Sequence, residues 1–153
     1  MADLTFNIAK GRAVEWYYRI KNNDPANAAF IAIPIETSGL ESDAVLKDKD
    51  DLAAVLSGTT NEQTTMGRKT LTDAELAAFP APDDTNDRYD IALPLVTWAA
   101  ATGNAISKIL ICYDPDTTAG TDSAIIPVSL HDYVATPSGV DLSFTAGTFY
   151  RAA

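Results

Sequence analysis

The chain has one cysteine and one histidine in 153 residues. Cys112 alone can close no internal disulfide and build no cysteine-based zinc site, so folding in a reducing cytoplasm is the expectation. His131 leaves a single chance for histidine-dependent acid–base chemistry. Positive charge is also short: 11 Lys and Arg face 21 Asp and Glu, a net charge of −10. Such a field repels phosphate backbones and anionic headgroups, so neither nucleic acid nor a membrane surface is expected as a partner. No run of about 18 apolar residues occurs, and Met1 to Asn7 lack the basic-then-apolar order of a secretory signal. Neither membrane spanning nor secretion by a cleaved signal is expected. Phosphate-cradling glycine motifs are missing too, since Gly67-Arg68-Lys69-Thr70 has no preceding glycine at the required spacing and no Gly-x-Gly-x-x-Gly follows a strand. No cofactor is expected.

What remains is an ordinary soluble composition, 46% hydrophobic and 21% charged, which fits one β-rich domain over residues 1–153. Leu4, Phe6 and Ile8 alternate with polar residues, and Val14, Trp16, Tyr18 and Ile20 alternate with Glu15, Tyr17 and Arg19, so both runs read as strands. Ala28 to Ile35 is continuously apolar, a strand covered on both faces; Pro34 places it at a sheet edge or marks a bend. Leu52, Val55 and Leu56 behind Asp50 and Asp51 predict a short helix. Thr72-Asp73-Ala74-Glu75 has capping-box spacing ahead of Leu76 and Phe79 and predicts a second. Between them, Gly58 to Gly67 is polar and rich in Thr, and an exposed loop or arm is expected around residues 58–70. From Tyr89 onward the pattern is β throughout: Tyr89, Ile91, Leu93 and Leu95 alternate, and Ile106 to Tyr113, Ala124 to Val134 and Val140 to Tyr150 read as further strands, with turns at Gly103-Asn104, Asp114 to Asp122 and Pro137-Ser138-Gly139. The expected fold is therefore mainly β, an antiparallel sandwich or barrel-like domain with two short helices in a central connection. Ile31 to Thr37 echoes Ile91 to Thr97, which either marks equivalent strands or reflects the limited vocabulary of β-rich chains.

Candidate chemistry is sparse. In a strand, His131 shares a side with Ser129 and Tyr133 and opposes Leu130 and Asp132; no Gly-x-Ser-x-Gly elbow accompanies it, so it reads as structural, with catalysis the second choice. Cys112 lies in an apolar strand without a basic neighbour and reads as a core residue. Asp114, Asp116 and Asp122 begin like an EF-hand loop, but Ala119 and Ile125 stand where its glycine and bidentate glutamate belong. That loop and Asp83, Asp84, Asp87 and Asp90 read as solvated turns, with an irregular Ca²⁺ site as the alternative. The scattered glutamates give no glycosidase pair. No catalytic or metal site is assigned, and no enzymatic activity is expected.

Several segments carry a resemblance: Asn7-Ile8-Ala9-Lys10-Gly11-Arg12, Gly67-Arg68-Lys69-Thr70-Leu71-Thr72, Phe79 to Asp90, Cys112-Tyr113-Asp114-Pro115-Asp116-Thr117-Thr118, and Phe149-Tyr150-Arg151-Ala152. Together they resemble small virion-associated proteins of tailed bacteriophages, and size and class are similar to capsid decoration, or cement, proteins. The resemblance implies a virion location and a contact with the major capsid protein. It also implies self-association, for example as a trimer. A head-to-tail or tail component and a sugar-binding β-sandwich are the alternatives. Within this frame Tyr17 is the aromatic expected to face a partner. Arg68, Lys69 and Arg88, scarce cations near the arm or a loop, are the expected contact charges.

Overall fold

The computed structural model describes residues 3–152. The first half runs through β1 (Leu4–Thr5), α1 (Ala13–Lys21), β2 (Ala29–Glu36), α2 (Asp43–Leu46), α3 (Leu52–Leu56) and β3 (Lys69–Leu71). The second half is all strand apart from one 3-10 turn: β4 (Tyr89–Ala92), β5 (Val96–Ala101), β6 (Ile106–Asp114), β7 (Ile126–Ala135), β8 (Val140–Phe144) and β9 (Thr148–Ala152). The fold is mainly β and its strand pairs are antiparallel, as the alternating segments predict. Five strands form one sheet in the order β1-β7-β6-β2-β3, and β4-β9 and β5-β8 form two-stranded ribbons.

β2 and β6 are buried almost end to end because both sheet faces are covered. On one face lie Phe30, Ala32, Tyr113, Ile111 and Ile109, in register across the two strands. α1 covers it, stacking Trp16 on Tyr113 at 5.4 Å and tilting Tyr17 against Phe30. Phe149 of β9 meets Phe30 edge-on at 5.1 Å on the same face. The opposite face carries Ile31, Ile33, Ile35, Cys112, Leu110 and Lys108. Lys108 is 1% exposed, and its ammonium lies 2.7 Å from Asp132 of β7 and 3.3 Å from Asp43 at the start of α2. A cation taken out of water needs that pairing.

Several expectations are corrected here. Residues 14–20 form α1 and not a strand: Ala13, Trp16, Tyr17 and Ile20 are the buried positions, the i, i+3, i+4, i+7 set of a helix. Alternation would have buried Tyr18, which is 59% exposed. The outward face is held by Glu15 and Arg19 at 2.9 Å, one helical turn apart. The strand expected over Leu4 to Ile8 is only two residues long and passes into a 3-10 turn at Asn7–Ala9. β2 has β6 along one side and β3 on the other only over Phe30–Ala32, so its Pro34 half does run along a side without a strand, and its ladder to β6 shifts register between Ile35 and Glu36. Pro34 is tolerated because its carbonyl, and hence its nitrogen, point away from β6 toward the segment at 61–63; that carbonyl accepts the Gln63 N–H at 2.9 Å.

The helix at 52–56 is present, capped by Asp51, which accepts the Ala54 N–H at 2.7 Å. The second expected helix is absent. Glu75 does reach back to the Thr72 N–H at 2.8 Å, which with the Thr72 hydroxyl holds its carboxyl below the usual range, but the box closes a single turn. Pro80 and Pro82 leave no room to propagate it. α1 and α2 are helices the sequence reading did not place. Ile91 to Thr97 is not equivalent to Ile31 to Thr37, because it is split between β4 and β5, which belong to different ribbons.

The segment at 58–70 is a loop with Gly58, Thr59, Asn61, Thr64, Thr65 and Thr70 exposed, but it is docked on the sheet and is not a free arm. Asn61 and Gln63 bond the free edge of β2, through Glu36 N–H to Asn61 carbonyl and Gln63 N–H to Pro34 carbonyl, both 2.9 Å. Thr60 and Gln63 are buried. The Gln63 amide donates to the Thr102 and Asn104 carbonyls at 3.1 and 3.3 Å and fills the space a side chain would need at Gly103, whose φ is +113°. Polar composition therefore reflects internal hydrogen bonding of this segment as well as solvent contact.

Two outcomes follow from this packing. Ile111→Ala, which empties a fully buried position of β6, is expected to cost about 2–5 kcal/mol in a urea titration at neutral pH. The Asp132 carboxyl is held below the usual range by the Lys108 ammonium. Its contribution is therefore present above the ordinary unfolded carboxyl value of about 3.9 and lost as pH falls through the lower folded value. Asp132→Asn should be less stable than the parent at pH 7, and the gap should narrow in denaturant titrations carried below pH of about 4.

Candidate functional site

The pleat of β7 brings the chemistry-bearing residues together. Ser129 and His131 are two apart and project from the face shared with Ile111 and Ile109, their partners on β6. β1 pairs along the other edge of β7, Leu4 opposite Leu130 and Thr5 opposite Ser129. Continuing that register by one residue sets Asp3 beside His131. The Asp3 carboxylate spans two groups, lying 2.9 Å from His131 Nδ1 and accepting the Asp132 backbone N–H at 3.1 Å.

The imidazole is thus held at both nitrogens. Nε2 lies 2.8 Å from Ser129 Oγ, while Nδ1 faces Asp3. A carboxylate accepts and does not donate, so Nδ1 carries a proton, and in the neutral ring Nε2 is then the acceptor for the Ser129 hydroxyl. Phe144 of β8 packs against the ring at 5.5 Å. Ser129 and His131 are 5% and 6% exposed, and Asp3 is more than half exposed. Ser129 also lines a cavity of about 330 Å³ whose walls include Thr5, Lys10, Gly11, Tyr150 and Arg151. The arrangement can move a proton from a serine hydroxyl to a histidine oriented by a carboxylate. Alternation along β7 made the Ser129 and His131 pairing legible from sequence; Asp3, 128 positions from His131, was not.

The four expected contact residues lie elsewhere. Tyr17 is 1% exposed, and its hydroxyl donates to the Ala77 carbonyl at 2.7 Å while its ring meets Phe79 edge-on. Burial pushes its phenol up. It is a core residue, and the exposed ring of the aromatic triplet is Tyr18. Arg68 is bound internally: one guanidinium edge pairs with Glu62 at 2.7 and 2.9 Å, and another meets Asp122 at 2.7 and 3.2 Å. These bonds hold it charged far above any accessible pH. Arg88 lies 3.1 Å from Asp83 and 3.2 Å from Asp90. Lys69, half-buried on β3 opposite Ala32, makes no ion pair among the described residues.

The acidic loops are turns closed by their own side chains. Asp114 accepts the Asp116 N–H at 2.9 Å, Asp116 accepts the Thr118 N–H at 3.0 Å, and Asp122 is committed to Arg68. Asp83 takes Asn86 and Arg88 in the same way. Among the described residues no three of His, Cys, Asp and Glu converge as metal ligands. Cys112 is fully buried, and burial raises its thiol far above neutrality.

Arg68 joins β3 to the turn before β7, so it is expected to act on stability. Arg68→Ala should cost about 1.5–3 kcal/mol, the worth of charge-assisted hydrogen bonds left unmade. Arg68→Lys, which keeps the charge and loses the fork, should recover only part of it in the same thermal or urea titration.

Comparison with family models, with curated proteins and with solved structures finds no match for this chain.

Proposed function

We propose that this protein is a structural component of a tailed-phage virion, a decoration protein that binds the outside of the major capsid shell and stabilises it. The reading begins in the segment resemblance, and the observation that carries it structurally is a fringe of large exposed apolar side chains at or beside the β5-β8 ribbon. Val134 is 84% exposed, Leu95 65% and Val140 58%. Val134 and Val140 flank the turn between β7 and β8, and Leu95 immediately precedes β5. Apolar side chains held out to solvent on short strands suit a protein-contact surface. The body behind them is rigid in the sense that matters for a cement: ribbon and sheet share one apolar core, with Trp98, Phe144 and Val96 of the ribbon all buried.

A decoration role requires no strong individual contact. Many copies on a symmetric shell add their free energies, so a modest interface per copy raises the stability of the particle as a whole. The acidic surface would favour a basic rim on the shell and discourage packaging with nucleic acid. The alternative contacts proposed from charge, Arg68 and Arg88, are occupied by internal carboxylates, which shifts the expected interface from cations to the apolar fringe.

Quantitative mass spectrometry of purified particles of the phage that encodes the chain is the deciding measurement. Near equality with the major capsid protein is expected; a handful of copies per particle would indicate a connector or tail part, and absence would overturn the virion reading. With occupancy established, Val134→Asp combined with Val140→Asp should reduce affinity for undecorated shells by at least about tenfold, or about 1.4 kcal/mol, without lowering Tm.

A further inference from the structure

We infer that Ser129, His131 and Asp3 form a working nucleophile, base and orienting carboxylate, and that the adjoining cavity admits a short-chain carboxylic ester for acyl transfer from alcohol to water. This reaches beyond a purely structural role and departs from the expectation that the chain has no enzymatic activity.

Three observations carry it. The first is connectivity: serine on Nε2 at 2.8 Å and carboxylate on Nδ1 at 2.9 Å is the order that leaves Nε2 free to take the serine proton. What the role requires is that the nitrogen facing the hydroxyl be the one without the proton, and the Asp3 carboxylate on Nδ1 ensures this. The second is position, because Ser129 opens on the cavity of about 330 Å³ while His131 is covered by Phe144. That volume sits at the small end of ligand pockets, about 300–1,000 Å³, which limits the substrate to a small acyl group and a small alcohol. The third is electrostatic: Lys10 lines the same cavity and makes no ion pair among the described residues, so its ammonium is available to the negative charge that develops on the carbonyl oxygen.

The chemistry balances without an added reagent. Ser129 Oγ attacks the ester carbonyl as its proton passes to His131 Nε2. The carbon–oxygen bond to the alcohol breaks, and the alcohol leaves with that proton. Water then attacks the acyl-serine, gives its proton to Nε2, and the bond to Oγ breaks as the proton returns to Ser129. The net change is ester plus water to acid plus alcohol. Asp3 touches no reacting atom and acts as a positioning residue, holding the ring in the tautomer the first step needs.

The test uses the full chain with phenylmethanesulfonyl fluoride, read by intact mass and peptide mapping, and with p-nitrophenyl acetate, read by nitrophenol release. One sulfonyl adduct per chain, on Ser129, and hydrolysis above buffer are expected; Ser129→Ala should abolish both. His131→Ala should slow both by at least about 1,000-fold. Asp3→Asn should lower kcat at least about tenfold with KM little changed. If Ser129→Ala fails to fold, Ser129→Cys alkylated by iodoacetamide at a rate dependent on His131 serves instead. The inference is overturned if the folded protein gains no adduct at Ser129, or if His131→Ala is labelled as fast as the parent, in which case the relay only pins β1 to β7. Because the readout needs only the isolated chain, either result leaves the copy-number test of the virion reading untouched.

Discussion

The structure depends on β6 being dry on both faces. It lies between β2 and β7, and every residue from Lys108 to Asp114 is buried. A strand in that position cannot satisfy its backbone with water, so it is laddered to both neighbours, with one register shift against β2 and two against β7, and something must cover each face. α1 and Phe149 cover one, and α2 approaches the other at Lys108. The ribbons and helices are in this sense consequences of β6: they are the apolar surface that makes a two-faced strand affordable. Of its two charged residues, Lys108 is tolerated because two carboxylates from elements far apart in sequence converge on it, and Asp114, at the end of the strand, accepts the Asp116 N–H.

The same logic organises the acidic surface. Among the described residues three cations hold two acids each, Arg68, Arg88 and Lys108, and for Arg68 and Lys108 those acids come from distant segments. Arg68 ties Glu62 to Asp122, Arg88 lies between Asp83 and Asp90, and Arg151 forks onto Asp90. Exposed pairs of this kind contribute little one by one. The Arg68 pair is different because Glu62 is only 11% exposed, so removing the guanidinium would leave a carboxylate poorly solvated. Of the scarce cations expected to contact a partner, Arg68 and Arg88 staple the chain to itself, while Lys69 makes no ion pair among the described residues.

What was legible follows from which signals are local. The β class and strands β6 and β7 could be read because alternation and continuous apolar runs depend on neighbours along the chain; β5 was not placed, the alternation from Tyr89 to Leu95 stops as a strand at Ala92, and the run from Val140 to Tyr150 is divided into β8 and β9. The Asp51 cap of α3 is equally local. Residues 13–21 were misread because Val14, Trp16, Tyr18 and Ile20 fit period two while Ala13, Trp16, Tyr17 and Ile20 fit period 3.6; two of the four are shared, and only the sheet face awaiting Trp16 and Tyr17 decides between them. The error carried forward to Tyr17 as an interface residue. Thr72 to Glu75 shows the converse, a sound cap with no helix behind it. Residues 58–70 looked like solvent-exposed loop because a polar residue satisfied by a sheet edge has the same composition as one satisfied by water.

The relay at Ser129 combines both kinds of information, and its location has a physical reason. Ser129 and His131 project from the α1 side of the sheet, where Ile109 and Ile111 are their β6 neighbours, so two polar side chains stand on an otherwise apolar face. A buried hydroxyl and imidazole there must bond each other or lose hydration uncompensated. That bond satisfies Nε2 and leaves Nδ1 exposed at the sheet edge, the side from which β1 arrives. Asp3 supplies the acceptor, and the same carboxylate takes the Asp132 N–H, an edge group of β7 that β1 is too short to pair. Structural need and catalytic arrangement thus coincide: the contacts that dock the start of the chain are those that orient a general base. The cavity distinguishes the two uses, for a relay serving only to dock β1 has no requirement that its serine face an open space.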